Sequence, residues 1–124
     1  MEKVVAALLK KENLILIAKR KGKGRFASKW EFPGGKIENG ETPEESLVRE
    51  MYEEFQIHVK VGDYFDKTIY ENICLLVYWA EWIGGTLRPV DHDEIQWVTT
   101  QQLHEFNFAP ADIPIINKLR GEGS

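Results

Sequence analysis

The segment Thr42–Phe55, TPEESLVREMYEEF, constrains this chain more than any other stretch. Thr42 is a good N-cap, and Pro43 suits the first helical position, where its missing N–H costs nothing. Glu45 completes a T-x-x-E capping box, so a helix is expected to start here and run to about Phe55. At about 100° per residue, Leu47, Val48, Met51, Tyr52 and Phe55 form one broad apolar face. Glu50, Glu53 and Glu54 fall together on the opposite side. A helix with these two faces must lie on a core by one of them and present a block of negative charge on the other.

That block is costly. Carboxylates spaced i,i+3 and i,i+4 repel, each pair by roughly 0.2–0.5 kcal/mol. Two readings are open: a solvated acidic face, or a site for a hard divalent ion, which takes oxygen ligands and is shared with substrate phosphates. Arg49 stands about 100° round the helix, where it can anchor a glutamate by a bidentate pair or hold the preceding loop. The charge pattern offers the same choice. Residues 10–29 hold eight Lys or Arg and one acid, Glu12, whereas residues 38–54 hold seven glutamates and no lysine. Such a pairing suits a polyanion whose charge is divided between protein cations and metal, or else two ordinary solvated surfaces. No broad basic patch interleaved with aromatics is present, which argues against a stable nucleic-acid complex.

The remaining pattern is a mixture of short strands and turns. Val4–Leu9 and Leu14–Ile17 are expected to pair as a hairpin, followed by a basic glycine-containing loop from Lys19 to Lys29. Trp30–Phe32 is read as a short strand entering the Pro33-Gly34-Gly35 turn. Further strands are expected at Tyr64–Thr68, Ile73–Trp82 and Ile95–Val98, with Gly62 as a break and Gly84-Gly85 as a turn. A helical turn at Thr100–His104 and a helix within Pro110–Leu119 close the chain. This order predicts a single α+β domain over residues 1–124, an α/β/α sandwich around a mixed sheet. The 124 residues, 43% hydrophobic and 29% charged, suit one core. No apolar run approaches the ~20 residues that span a bilayer, and the first residues lack a signal-peptide pattern, so no membrane partner and a cytoplasmic location are expected. The one cysteine, Cys74, flanked by Ile73 and Leu75, is expected in the core. A monomer is the default expectation, with a dimer open.

The stretch Gly35–Ile57 resembles the Nudix box, G-x5-E-x7-R-E-U-x-E-E-x-G-U, where U is aliphatic. Gly35 opens it, Glu41 follows after five residues, Arg49-Glu50 after seven more, then Met51, Glu53-Glu54 and Ile57. The one departure is Gln56, where the family has glycine; a left-handed residue there would cost about 1 kcal/mol. Together with Glu31–Glu38, EFPGGKIE, the likeness extends to MutT-type members over nearly the whole chain.

The resemblance implies a Mg²⁺-dependent hydrolase, with Mn²⁺ as an alternative, acting on a nucleoside diphosphate linked to another group. It assigns Glu50, Glu53, Glu54 and the Gly34 carbonyl as metal ligands, Arg49 as the group orienting a box glutamate, and Glu41 as the brace of the loop, with Gly35 and Thr42 structural. In MutT-type members water attacks the β-phosphorus of a nucleoside triphosphate, giving a monophosphate and pyrophosphate. A further carboxylate is expected from Asp91-His92-Asp93-Glu94, with Asp91 preferred, Glu94 the rival, and His92 incidental or a donor behind the site. An exposed acidic turn is the other reading of this segment.

For the substrate, FAPADIP (Phe108–Pro114) resembles the CTP pyrophosphohydrolase subgroup, also described as acting on oxidised guanine nucleotides. An ionised aspartate accepts hydrogen bonds, so Asp112 suits the cytosine amino group or the N–H donors of 8-oxoguanine. It could equally cap the last helix. Arg20 is the candidate phosphate or base contact, with Arg25 as a possible steering charge. Phe108 is the preferred stacking partner for the base, with Trp30, Phe26 and Tyr70 as alternatives. Two other functions fit less well: a broad-specificity Nudix hydrolase of nucleotide sugars or dinucleoside polyphosphates, and a non-catalytic nucleotide- or RNA-binding module.

Overall fold

Strand β1, Glu2–Lys11, is buried without interruption from Val5 to Leu9, and that burial organises the molecule. In a computed structural model that describes residues 1–22, 24 and 26–121, alternate side chains of β1 enter two different cores. Ala6 and Leu8 face a cluster with Ile15, Ile17, Phe32, Leu75, Val77, Leu103 and Ile115. Val5, Ala7 and Leu9 face another with Leu16, Leu47, Met51, Phe55 and Ile57. A strand covered on both faces reads as a continuous apolar run because each side chain has a core to enter.

The other strands are β2 (Leu14–Arg20), β3 (Trp30–Glu31), β4 (Gly34–Lys36), β5 (Ile57–Tyr70), β6 (Ile73–Gly85) and β7 (His92–Val98). Helix α1 is Pro43–Phe55 and α2 is Ile113–Leu119. β1 runs parallel to β6 from Glu2↔Ile73 to Leu9↔Ala80, and antiparallel to β4. Its expected hairpin with β2 exists only at the tip, Lys10↔Ile15 and Lys11↔Leu14. Beyond that β2 diverges to pair with β3 and β7. The result is a mixed sheet with α1 packed on one face and α2 on the other, as the α/β/α expectation required.

Several boundaries differ from the sequence reading. Gly62 does not break a strand: β5 is continuous, with register shifts between Val61 and Tyr64 that absorb the glycine as a bulge. Gly84-Gly85 ends β6 rather than forming a turn, and Gly85 pairs with Ile57. The expected C-terminal helix splits into a 3-10 turn, Pro110–Asp112, followed by α2. Among the described residues, no helix is long and apolar enough to cross a membrane. Cys74 is buried, as expected.

Candidate active site

The capping box of α1 forms as read: the Thr42 hydroxyl accepts from the Glu45 N–H at 3.1 Å, and the Glu45 carboxylate accepts from the Thr42 N–H at 2.9 Å. Leu47, Met51 and Phe55 are buried, which turns Glu50, Glu53 and Glu54 toward a cleft of about 910 Å³. Arg49 ties this face to the loop before the helix. Its Nε and Nη2 donate to the two oxygens of Glu41 at 2.6 and 2.9 Å, a bidentate pair. Its Nη1 donates to Glu50 at 2.8 Å and to Glu53 at 3.0 Å, and its Nη2 to the Lys36 carbonyl at 3.0 Å. Glu41 also accepts from the Glu38 N–H at 3.0 Å, which closes the loop on itself.

Two of the acids bonded to Arg49, Glu41 and Glu50, are perturbed in opposite senses. The hydrogen bonds from Arg49 hold the Glu41 carboxyl down to about 2. Burial pushes Glu50 up, despite the opposing bond from Arg49. Arg49 is shared with Glu41 and Glu53, and burial outweighs its bond to Glu50, so a further positive charge would stabilise the ionised form of Glu50. Backbone glycines make room for it. A Cβ on Gly35 would overlap the Glu50 carboxylate, and one on Gly34 would overlap the Val5 carbonyl across the β1–β4 pair. Small residues here let a polar strand edge and a carboxylate approach as side-chain-bearing residues could not.

This donor set fits a divalent cation. The carboxylates of Glu50, Glu53 and Glu54, with the strand edge at Gly34, line one cleft. Among the described residues no three acid, histidine or cysteine side chains converge tightly enough to enclose an ion unaided. Mg²⁺ does not need that, because it keeps several waters and completes its shell with substrate phosphate.

Asp91 lines the same cleft, exposed and 3.3 Å from the Lys21 ammonium. Its loop is docked on the end of α1: the Arg88 and Val90 N–H groups donate to the Phe55 and Glu54 carbonyls, each at 2.9 Å. Glu94, the rival, does not line the cleft and instead accepts from Gln96 at 2.6 Å. It pairs with Lys19 on β2, and the register shift before the Arg20–His92 pair keeps it from following His92 to the cleft.

A second cavity of about 460 Å³ adjoins the first, the two sharing Arg20, Glu31, Gly34, Gly35 and Lys36. Asp112 lines it together with Phe26, Phe32, Ile73 and Leu75. Asp112 is 5% exposed and makes no side-chain cap bond to α2, so the helix-cap reading fails. Burial, and next the nearby charge of Glu31, push its carboxyl well above the usual range, opposed by Arg20. The sequence reading took it as ionised; here the neutral acid, both donor and acceptor, is favoured.

Two stacking candidates are corrected. Trp30 and Phe108 are buried in the core, Trp30 against Phe106 at 5.0 Å and Phe108 against Phe32 at 5.3 Å, and neither lines the second cavity. Phe26 does line it, with Tyr70 edge-on at 6.5 Å. Arg25 lies outside the described residues. Arg20 stands between the two cavities with its Nη1 on Glu31 at 2.9 Å. His92, read from sequence as incidental or a donor behind the site, is bonded at 2.9 Å to Glu31, which the sequence reading did not name as a site residue. The signal for Glu31 was alternation: Trp30 points inward, so Glu31 faces the cleft side.

Fold and site together define a helix-and-sheet sandwich whose acidic helix face suits a divalent cation and a polyanionic ligand. The chain belongs to the NUDIX domain family, which matches residues 2–119. It is similar to the CTP pyrophosphohydrolase of Escherichia coli strain K12, 34% identical over 120 residues, 94% of this chain and 89% of that protein. It is also similar to the 8-oxo-dGTP diphosphatase of the same strain, 36% identical over 120 residues, 94% of this chain and 93% of that protein. The solution structure of the DNA mismatch repair protein MutT, a Nudix hydrolase from methicillin-resistant Staphylococcus aureus 252, superposes with a TM-score of 0.78. That pair is 36% identical, with 98% of this chain and 97% of the other covered.

Proposed function

We propose that this protein is a divalent-metal-dependent nucleoside triphosphate pyrophosphohydrolase acting on cytosine or 8-oxoguanine nucleotides, with water attacking the β-phosphorus to release a monophosphate and pyrophosphate. The observation that carries this reading is the adjacency of two unlike cavities: an acidic cleft tied by Arg49, and a partly apolar chamber with the buried Asp112. A triphosphate in the first and a base in the second are joined across Arg20 and Gly34–Lys36. The E. coli relatives, a CTP pyrophosphohydrolase and an 8-oxo-dGTP diphosphatase, fit the same division.

Glu50, Glu53, Glu54 and the Gly34 carbonyl would hold Mg²⁺ or Mn²⁺, with Asp91 as an added acid reaching from its loop. A bound ion of this kind neutralises phosphate charge and lowers the pKa of water. The protein's own contribution is positional. Arg49 fixes the directions of Glu50 and Glu53, Glu41 keeps Arg49 from turning away, and Gly35 leaves the space that Glu50 occupies. Arg20 offers its remaining donors to phosphate or base edge. Asp112 meets the base, and Phe26 offers it a stacking face.

The test is pyrophosphate release from a panel of nucleoside triphosphates, nucleotide sugars and dinucleoside polyphosphates with Mg²⁺ or Mn²⁺. Release from CTP or 8-oxo-dGTP, abolished by chelation, is expected. Preference for nucleotide sugars, or no turnover at all, would defeat the proposal.

A further inference from the structure

His92 opens β7 opposite Arg20, where the β2–β7 register shifts. Its side chain is 8% exposed. One face of the imidazole stacks on Phe55, the last residue of α1, with centroids 5.0 Å apart and planes at 22°. Nε2 lies 2.9 Å from Glu31 Oε2, and the other oxygen of Glu31 accepts from Arg20 at 2.9 Å. Nδ1 is buried and has no partner among the described residues.

That last atom decides how the residue should be read. A buried nitrogen without a partner costs stability, and an aromatic hydrocarbon ring would stack on Phe55 without the cost. As a packing element alone, histidine is a poor choice here. What histidine adds is one donor, aimed at a carboxylate that lines both cavities. Glu31 without it would keep Arg20 but lose the bond that fixes its second oxygen, and both side chains could swing at the boundary between the cavities.

We propose that His92 is a positioning residue for nucleotide binding: its Nε2–H, braced by the Phe55 stack, locks Glu31 and through it Arg20 at the junction of the acidic cleft and the base chamber. This rests on the nucleotide reading above. The lock acts on binding more than on the chemical step, because among the described residues the hydrogen bond of His92 goes to Glu31 and none goes to Arg49, Glu41, Glu50 or Glu53. Arg20 is the beneficiary: with one nitrogen held on Glu31, its others keep a fixed direction toward the ligand.

The test uses H92F, H92Q and H92N in the full chain. The amide nitrogen of glutamine reaches about where Nε2 stands, whereas that of asparagine reaches only about as far as Nδ1. Two readouts are taken: calorimetric affinity for CMP and 8-oxo-dGMP without metal, and KM and kcat for the triphosphates with Mg²⁺. H92F is expected to weaken monophosphate binding and raise KM by ~10-fold, the scale of one charge-assisted hydrogen bond, with kcat within about threefold. H92Q should recover most of that loss and H92N little. The melting temperature of H92F should stay level or rise, whereas a merely structural histidine would give a lower one.

Parent-like affinity in H92F, equal failure of H92Q and H92N, or a parent that binds neither monophosphate would each overturn the proposal. If the parent cleaves no triphosphate, the proposed function fails and the calorimetric series alone decides the role of His92.

Discussion

Asp112 is a carboxyl in a chamber that disfavours its charge. Its raised pKa means that the folded protein holds the proton more tightly than the unfolded chain does. The cost of ionising it is absent below its ordinary value of 3.8 and grows as pH rises from there toward the folded-state value. D112N removes the ionisation and keeps a donor and an acceptor. Its stability relative to the parent should therefore increase with pH, as read by urea unfolding at pH 5 and pH 7.5. A difference that does not change with pH would mean that the carboxyl carries no such penalty. The same substitution bears on the base. An amide, like the neutral acid, matches the amino donor and ring acceptor of cytosine, but unlike the carboxyl it cannot give up a proton to present two acceptors to the paired N–H groups of a guanine edge. D112N is expected to lower kcat/KM for 8-oxo-dGTP more than for CTP, changing their ratio by ~10-fold. An unchanged ratio would take Asp112 out of base recognition. Glu41 is the opposite case: lowered from 4.5 to about 2, it contributes stability that is complete above 4.5 and lost as pH falls toward 2.

Helix α1 was legible from sequence because its code is local. The capping box spans four residues, and the helix ends at Phe55 as read; its apolar face is narrower than read, with Leu47, Met51 and Phe55 buried but Val48 and Tyr52 exposed. β1 was legible as a strand, but its partner was not. The parallel ladder joins residues about seventy positions apart, as in Val5↔Leu76, and nothing local marks that pairing. The same gap misassigned Trp30 and Phe108, since an aromatic beside a polar motif reads alike whether it faces a ligand or the Phe106 and Phe32 rings. The acids and Arg49 were legible as a cluster because one helix carries them, whereas Glu31 and His92 meet only after β3 and β7 flank β2. The departure at Gln56 has a visible consequence. It caps α1 at φ 63° and ψ 23°, the left-handed conformation that glycine adopts without penalty. Its N–H donates to the Tyr52 carbonyl at 2.9 Å, and its side-chain amide reaches the same oxygen only at 3.4 Å, a long bond that glycine would forgo at little cost. Q56G should stabilise the protein by about 1 kcal/mol with unchanged kcat. An unchanged urea midpoint would show that Gln56 carries no strain.

At the scale of the whole molecule, the sheet holds together three pieces that would not stay together alone: the acidic face of α1, the glycine edge of β4, and the loop carrying Asp91. β4 is pinned by β1, and the Asp91 loop by the carbonyls at the end of α1. If a cation is shared among them as proposed, it links elements that separate on unfolding and stabilises the fold. The gain is RT ln(1 + [Mg²⁺]/Kd), about 2.7 kcal/mol at a hundred times Kd, and the melting temperature should climb with the logarithm of Mg²⁺ above Kd. E53Q separates this from folding itself. Glu53 is 55% exposed at its side chain, so the metal-free variant should melt near the parent. It loses one anionic oxygen from the set, however, and its Mg²⁺-dependent rise should shrink. Its turnover should fall at least ~10²-fold if, as proposed, that oxygen helps hold the ion and through it the phosphate chain. A variant with near-parent turnover would remove Glu53 from the metal site. A full Mg²⁺ rise with turnover lost would instead give Glu53 a role in the chemistry and none in holding the ion, leaving Glu50 and Glu54 as the acids that bind it.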